Sequence, residues 1–336
     1  MTSKQIKEKA LQLGYISCAV IPVSAMDGCS ERFDERCETY PQSKPFYENY
    51  RKMVNVPPDA KSIIVTIRRF NQYKTPEYVK NEIGRVYLVD GRLPYSKEHR
   101  YALEFETFLA ANGIKKVNGN VLGRWAGAKS GLVKFGYNNF IYDEQHGSQI
   151  WVDTCVVENE LEYDSVPENT CMSACSDDCL RCVKACPTKA FAGKFSMNMG
   201  RCIAHLMFRE DITDEETLTQ MGTWIYGCDM CQRVCPSNKD KFNESEEFPL
   251  LSDHEKYLNF ETILEMDEDF YVRVLNPLMW YAGEEASWKW KRNVLRAMIN
   301  SNEEKYHPYI KKYANHEDKR IAQMAKWGME KLKIES

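Results

Sequence analysis

The spacing of apolar residues predicts that helices and strands alternate in the first half of the chain. Apolar positions at helical spacing predict a helix over Ile6–Leu13, ended by Gly14, and another over Lys97–Asn112. Short apolar runs predict three strands, at Ile16–Ile21, Ser62–Ile67 and Gln149–Val157. The polar stretch Asp27–Tyr50 is predicted to be a loop with short helical pieces. These elements indicate a layered domain of helices and strands over residues 1–164.

The pattern changes in the C-terminal part of the chain, where it becomes helical throughout. Three amphipathic helices with short connections are predicted, at Trp288–Ile299, Glu303–Tyr313 and Asp318–Leu332. Packed helices of this length resemble helical repeats. The fold class is therefore predicted to be α+β, with a helical-repeat tail over residues 246–336. A cysteine-rich segment over residues 165–245 separates the two parts.

The overall charge does not indicate a nucleic-acid partner, although the charge is unevenly distributed. The chain has 336 residues, a net charge of −4 and a pI of about 6.0. Residues 286–336 contain 12 Lys or Arg against 6 Asp or Glu. This local excess is consistent either with solvated helix faces or with a surface that binds phosphates.

The cysteine content is informative because of where the cysteines lie. There are 13 cysteines, and most lie between Cys171 and Cys235 in spacings typical of metal sites. The N-terminal pattern is a charged amphipathic helix rather than a signal peptide or a membrane span. Metal-type spacing without an export signal indicates a reducing compartment. The protein is therefore expected to be cytoplasmic and not to associate with a membrane.

Two motifs of the form Cys-x-x-Cys-x-x-x-Cys-Pro dominate this segment. This spacing, used twice, is the signature of two-cluster ferredoxins, in which the cysteine before proline binds the other cluster. One predicted 4Fe–4S site contains Cys175, Cys179, Cys182 and Cys235, and the other contains Cys186, Cys202, Cys228 and Cys231. Structural zinc is the alternative, because Cys-x-x-Cys pairs also suit tetrahedral zinc.

The first ligand of the first set is the least regular. Bacterial ferredoxins would place it three residues before Cys179, where this chain has Ser176. Cys175 is one residue earlier, and Cys171 is further away. We prefer Cys175, because a bulged loop can absorb a single inserted residue.

Several segments resemble the epoxyqueuosine reductases, which are cobalamin and iron–sulfur enzymes related to the reductive dehalogenases. The resemblance covers nearly the whole chain and is carried by Pro58–Val65, Arg201–Ile203, Ile225–Asn238 and Ser287–Val294. It implies a nitroreductase-like, cobalamin-binding domain over 1–164, a double 4Fe–4S ferredoxin-like module over 165–245 and HEAT-like repeats over 246–336.

The resemblance also extends to the region that surrounds the corrin ring in the family. Val121–Leu132 matches a helix that enters the cofactor pocket, and Gly136-Tyr137-Asn138 falls on a Gly-Lys-Asn turn. Glycines at such turns allow the backbone to approach a large flat ring. The implied cobalamin contacts are Gly136, Tyr137, Asn138, Asn139, Ile141, Gly147, Ser148, Val152 and Ile203. An ordinary strand-turn-strand core is the alternative interpretation of these residues.

The chain departs from the family at the expected proton donor. The family has an aspartate four residues before the Val121-Leu122 pair, and this chain has Val117 there, followed by Asn118. Neither side chain can deliver a proton at neutral pH. The reductive dehalogenases use a tyrosine as acid, so Tyr137 is the candidate donor, assisted by Arg124 or Lys129. The alternative for Tyr137 is an aromatic ring that only packs.

Three functions follow from these observations. The first is a reductase in which electrons pass through two 4Fe–4S clusters to cobalamin as Co(I), and then to an unidentified small organic substrate. The second is an epoxyqueuosine reductase that acts on tRNA. The third is a non-catalytic electron-transfer or corrinoid-reducing partner protein. A ferredoxin or flavodoxin is the expected electron donor.

Overall fold

The computed structural model describes residues 1–88, 96–168, 175–212, 214–242, 245–248, 255–279 and 282–335. The chain divides into two compact units, each made of separate stretches. The first unit contains Met1–Tyr73, Pro94–Gly200 and Met230–Ser245, and the second contains Lys74–Leu93, Arg201–Asp229 and Glu246–Ser336. The three consecutive domains predicted from the sequence stay a prediction, because these units cut across them.

A three-stranded antiparallel sheet forms the centre of the first unit. In chain order, the strands of the described residues are β1 Ser17–Pro22, β2 Ser62–Arg69, β3 Tyr73–Lys74, β4 Lys134–Phe135, β5 Ile141–Tyr142, β6 Ile150–Val157, β7 Phe191–Gly193, β8 Ser196–Met197 and β9 Glu246–Glu247. The three-stranded sheet consists of β1, β2 and β6. β2 lies between β1 and β6, so that Ile64 is opposite both Val20 and Cys155. The three strands predicted from apolar runs are therefore confirmed.

Both faces of this sheet are covered, which explains why β2 is apolar along most of its length. On one face, Ile63 and Val65 pack with Val121 and Ala126. On the other face, Ile64 packs with residues of the first helix and of the long helix near residue 105. A strand buried on both faces has no polar alternation, and the continuous apolar run of β2 reflects that.

The helices of the first unit include two that are longer than the sequence indicated. They are α1 Ser3–Gln12, α2 Cys29–Thr39, α3 Lys44–Met53, α4 Lys97–Ala111, α5 Gly123–Lys129, α6 Arg181–Ala185 and, after a return from the second unit, Met230–Arg233. The prediction of a loop with short helical pieces over Asp27–Tyr50 is correct about the presence of helix and wrong about its extent, because α2 and α3 occupy most of the stretch. Neither helix buries a residue, and their aromatic side chains pack on each other, with the Phe46 and Tyr50 rings 5.3 Å apart.

The second unit is mainly helical. Its α-helices are Ile203–Leu206, Glu215–Gln220, Phe260–Glu265, Glu268–Phe270, Asn276–Leu278, Ser287–Ser301, His307–Tyr313 and Lys319–Leu332. The three predicted C-terminal helices are present, and the last one packs closely because a Cβ at Gly328 would lie 2.5 Å from Ile299 Cδ1. Within the described residues, every helix is too short or too polar to span a lipid bilayer.

Candidate iron–sulfur site

Four cysteines of the first unit line one cavity of about 250 Å³. They are Cys175, Cys179, Cys182 and Cys235, the set predicted from the spacing of the two motifs. The rest of the lining consists of Asn138, Tyr142, Ser176, Arg181, Pro236 and Ser237. The structure thus brings together three cysteines of the first motif and the last cysteine of the second.

Local backbone geometry explains how a cysteine of one motif reaches the other. α6 begins at Arg181, which places Cys182 in its first turn, and α6 packs against the helix Met230–Arg233. Cys186 and Cys235 both precede proline and both have extended backbone, with ψ angles of 115° and 122°. Proline disfavours helical backbone in the residue before it. Each helix therefore ends at its Cys-Pro, and the last thiol is directed away from its own turn.

The shape of this cavity favours a cluster over a single zinc ion. Among the described residues, no three Cys, His, Asp or Glu side chains lie close enough to hold one metal ion. A tetrahedral zinc site needs sulfur atoms about 2.3 Å from one centre. Four thiols that line a cavity of about 250 Å³ instead leave room for a group larger than one zinc ion. The residues present therefore fit a 4Fe–4S cluster.

The neighbouring thiols also affect the acidity of Cys182. Burial raises the pKa of Cys182 to about 11, and the neighbouring Cys175, Cys235 and Cys179 raise it further, whereas a hydrogen bond from the Val183 backbone lowers it. Iron binds thiolates, so ligand binding must release these protons. A crowded, partly buried group of thiols is stabilised when iron neutralises the resulting negative charge.

The second predicted ligand set is divided between the two units. Cys186 and Cys231 belong to the first unit, and Cys202 and Cys228 to the second. Cys186 Sγ accepts a hydrogen bond from the Ala190 N–H at 3.2 Å. The set stays a prediction. Cys171, the alternative first ligand, lies outside the described residues.

Two residues predicted to contact cobalamin contact the second cysteine motif in the structure. Asn138 Nδ2 donates to Tyr142 Oη at 2.8 Å and to the Cys231 carbonyl at 3.2 Å. Ser148 Oγ donates to Gln232 Oε1 at 2.8 Å. These bonds fix the segment that contains Cys231 and Cys235. The bonds to Cys231 and Gln232 could not be predicted from the sequence, because they join residues that are 93 and 84 positions apart.

Packing of the protein against itself also accounts for the glycines. A Cβ at Gly136 would overlap the Tyr142 ring, and one at Gly147, whose φ is +63°, would overlap Asn238 Oδ1. The other predicted cobalamin contacts lie in different settings. Ile141 is in the core, Val152 lies against α5, Asn139 is on the turn with φ +62°, and Ile203 is buried in the second unit. Their role toward cobalamin stays a prediction.

Each of the three predicted catalytic residues contacts other residues in the structure. Tyr137 is buried, and its ring lies 5.0 Å from the Phe195 ring in an edge-on contact. Arg124 Nη1 donates to the Asn139 carbonyl at 2.9 Å, and Lys129 Nζ lies 5.7 Å from the Trp125 ring. The structure thus shows Tyr137 as a packed ring, while its role as an acid stays a prediction.

The position of the expected aspartate lies in the core. Val117 is buried with Ile21 and Ile63, and its N–H donates to the Val156 carbonyl at 2.9 Å. The next residue, Asn118, is exposed. Apolar packing therefore explains the valine.

Comparison with known proteins agrees with this site. Residues 174–238 match the family model of a 4Fe-4S double cluster binding domain. The epoxyqueuosine reductase of Lactococcus garvieae is 27% identical, covering 71% of this chain and 69% of the relative. That of Cellulophaga algicola is 25% identical, covering 76% and 85%. The chain is related to the epoxyqueuosine reductases. The predicted resemblance, the double-cluster domain and an oxidoreductase are thereby confirmed.

A solved epoxyqueuosine reductase shares the fold over almost the whole chain. The crystal structure of this enzyme with an epoxyqueuosine-modified tRNA-Tyr stem loop superposes with a TM-score of 0.76 at 21% identity. The match covers 98% of this chain and 89% of that chain. The mixed helix-and-sheet fold is thus confirmed, while the nitroreductase-like and HEAT-like details stay predictions.

Proposed function

We propose that the chain is an epoxyqueuosine reductase that acts on tRNA and receives electrons through two 4Fe–4S clusters. The observation that carries the proposal is the cavity lined by Cys175, Cys179, Cys182 and Cys235. The chain that contains this cavity matches curated relatives named epoxyqueuosine reductase, and the matches cover most of the length of those relatives. A ferredoxin or flavodoxin would supply the electrons in the cytoplasm.

The residues around the cavity suit an electron-transfer cluster. The Tyr142 hydroxyl is hydrogen-bonded to Cys235, and burial raises the pKa of this phenol, so that it stays protonated at neutral pH. Hydrogen bonds to cluster sulfurs favour the more negative, reduced state. Cys182 and Cys235 are buried, whereas Ser176 and Arg181 are exposed at the rim. The cluster would therefore be partly shielded and still near enough to the surface to accept an electron.

Cobalamin is implied by the resemblance, and it would supply a strongly reducing, nucleophilic metal centre. Asn139, on the 136–140 turn, would be one of the residues that hold it. The exposed Arg124, which donates to the Asn139 carbonyl, would be another. Arg124 could orient a polar substituent of the ring through its guanidinium group. The protein's part would be to exclude water and position the substrate.

The basic C-terminal segment is the proposed tRNA surface, but only part of its charge is available. The structure pairs Lys305 with Glu303 at 2.7 Å and Lys312 with Glu265 at 2.6 Å. Arg292 and Arg296 are buried. Phosphate binding would therefore depend on the remaining exposed lysines, and would weaken as the salt concentration rises.

A second candidate is the same type of reductase acting on a different small organic substrate. It is favoured by Val117, which occupies the expected proton-donor position and packs in the core. The reducing apparatus would then be retained while the proton source differs. A non-catalytic electron-transfer role is the third candidate, and the cobalt content of the protein separates it from the other two.

The proposal is tested by anaerobic turnover of epoxyqueuosine-containing tRNA with the reconstituted, cobalamin-supplied protein. Cys235→Ser is the inactive control, and Cys37→Ser, in α2, is the matched control outside both motifs. Turnover by the wild type and by Cys37→Ser supports the tRNA reductase. Full iron and cobalt content without turnover supports the second candidate. A tRNA gel shift at two salt concentrations tests binding separately.

A further inference from the structure

One face of the helix Ser287–Ser301 carries four polar side chains that donate to main-chain carbonyls of the second unit. They are Arg292, Asn293, Arg296 and Asn300, which lie on one side of the helix at this spacing. The acceptors are carbonyls of residues 207, 209, 218, 222, 224 and 225. This helix therefore holds both the segment that follows Cys202 and the segment that leads to Cys228.

Arg296 is the more enclosed of the two charged side chains in this set. Its side chain is 1% exposed. Nη1 donates to the Gly222 carbonyl at 3.4 Å, Nη2 donates to the Trp224 carbonyl, and Nε has no acceptor among the residues that the structure describes. Burial lowers the pKa of Arg296 to about 9, which is still above neutral, so the guanidinium remains charged.

The charges around Arg296 are unbalanced within the described residues. Arg292, one turn earlier, disfavours the guanidinium charge, whereas negative charge on the Cys228 sulfur favours it, and no carboxylate of the described residues forms an ion pair with it. A buried cation without an anion is costly. A 4Fe–4S cluster with its thiolate ligands is an anion, and Cys228 is a predicted ligand of such a cluster.

We propose that Arg296 is the buried counter-cation of the cluster bound through Cys228, and that it raises the reduction potential of that cluster. Reduction adds one electron to the cluster and breaks no bond, so a fixed positive charge nearby stabilises the reduced state more than the oxidised state. The net charge near a cluster is one of the factors that set its potential. The inference rests on the predicted second cluster and is independent of the substrate.

Arg292 provides a matched control on the same helix. It is also buried, and it donates to the Met207 carbonyl at 2.9 Å and to the Arg209 carbonyl. Glu210 and Asp211 offset its charge, however, and neither acts on Arg296. Neutralising Arg292 therefore removes a charge that is already balanced, while the loss of carbonyl hydrogen bonds is similar.

The experiment is a redox titration of the full chain with dithionite, after anaerobic reconstitution, followed by electron paramagnetic resonance. Cys228→Ser identifies which signal belongs to this cluster. We expect Arg296→Gln to make one-electron reduction about tenfold less favourable, a decrease of about 59 mV in midpoint potential. Arg296→Lys, which keeps the charge, should stay near the wild type, and Arg292→Gln should shift the potential less than half as far.

Iron content decides the remaining outcomes. If Arg296→Gln loses this cluster and Arg296→Lys keeps it, the difference in iron content shows that the cluster needs the positive charge at residue 296. A wild-type potential in Arg296→Gln at full iron content overturns the proposal, as do equal shifts in both Gln variants. Loss of the cluster in both Arg296 variants overturns it too, because the hydrogen bonds alone would then matter. About four irons instead of about eight in the wild type would show that the second cluster itself is absent.

Discussion

Ser148 and Asn238 form a reciprocal pair of hydrogen bonds between the turn before β6 and the segment after the second cysteine motif. The Ser148 N–H donates to Asn238 Oδ1 at 2.8 Å, and Asn238 Nδ2 donates to Ser148 Oγ at 2.9 Å. Both side chains are buried. Asn238 lies three residues after Cys235, so this pair fixes the end of the motif that supplies the crossing thiol.

Removal of this pair should destabilise the first unit. Asn238→Ala leaves the buried Ser148 N–H without an acceptor, and we expect a loss of about 1–3 kcal/mol in unfolding free energy. Asn118→Ala, at an exposed position, should change it by less than about 0.5 kcal/mol. Urea unfolding of the iron-free proteins measures both. Equal stability of the two variants would show that the pair contributes nothing.

Loss of the crossing cysteine should remove the cluster bound by the first motif. In Cys235→Ser the site of Cys179 and Cys182 loses its fourth thiolate, and we expect iron to fall from about eight to about four per chain. Cys37→Ser, outside both motifs, should retain all of it. Iron and zinc analysis after anaerobic purification is the measurement. About one zinc per motif with no iron in the wild type would contradict the assignment of clusters.

The choice between Cys175 and Cys171 is tested by separate alanine variants. Cys175 lines the cavity with Cys179 and Cys182. We therefore expect Cys175→Ala to lose about half of the iron and Cys171→Ala to keep it. The opposite result in iron counting would show that Cys171 is the ligand.

Glu82 should make the stability of the second unit depend on pH. Burial, and then Glu261 and Glu303, raise the pKa of Glu82 to about 7, whereas Lys305 lowers it. Because the folded state holds this proton more tightly than the unfolded chain, stability should fall as pH rises from about 4.5 to about 7. Glu82→Gln should reduce this slope in urea unfolding at several pH values. Glu77→Gln, beside Lys80 on the surface, should leave the slope unchanged.

The sequence was most informative where ligand chemistry imposes a local spacing. The cavity set of Cys175, Cys179, Cys182 and Cys235 could be predicted because Cys-x-x-Cys and Cys-Pro constrain a few neighbouring residues. The bonds from Asn138 and Ser148 could not, because they join segments that are distant in the chain. α2 and α3 were predicted only as short helical pieces, because the stretch is rich in polar residues and neither helix buries a residue.

The last prediction concerns the position where the family aspartate is expected. Val117 packs in the core beside Ile63, so Val117→Asp would bury an unpaired carboxylate, and we expect a loss of about 3–5 kcal/mol in unfolding free energy. Asn118 is exposed, so Asn118→Asp should cost less than about 0.5 kcal/mol.

The same two variants test the proton source, because a positioned general acid typically contributes about 10²–10⁴-fold in rate. If the wild type lacks such an acid, turnover of epoxyqueuosine-containing tRNA should rise in Asn118→Asp and not in Val117→Asp. Urea unfolding and anaerobic turnover are measured on the same preparations. Wild-type stability of Val117→Asp would show that this segment can turn its side chain out of the core. A gain in turnover in that variant would then place the proton donor at residue 117, as in the family.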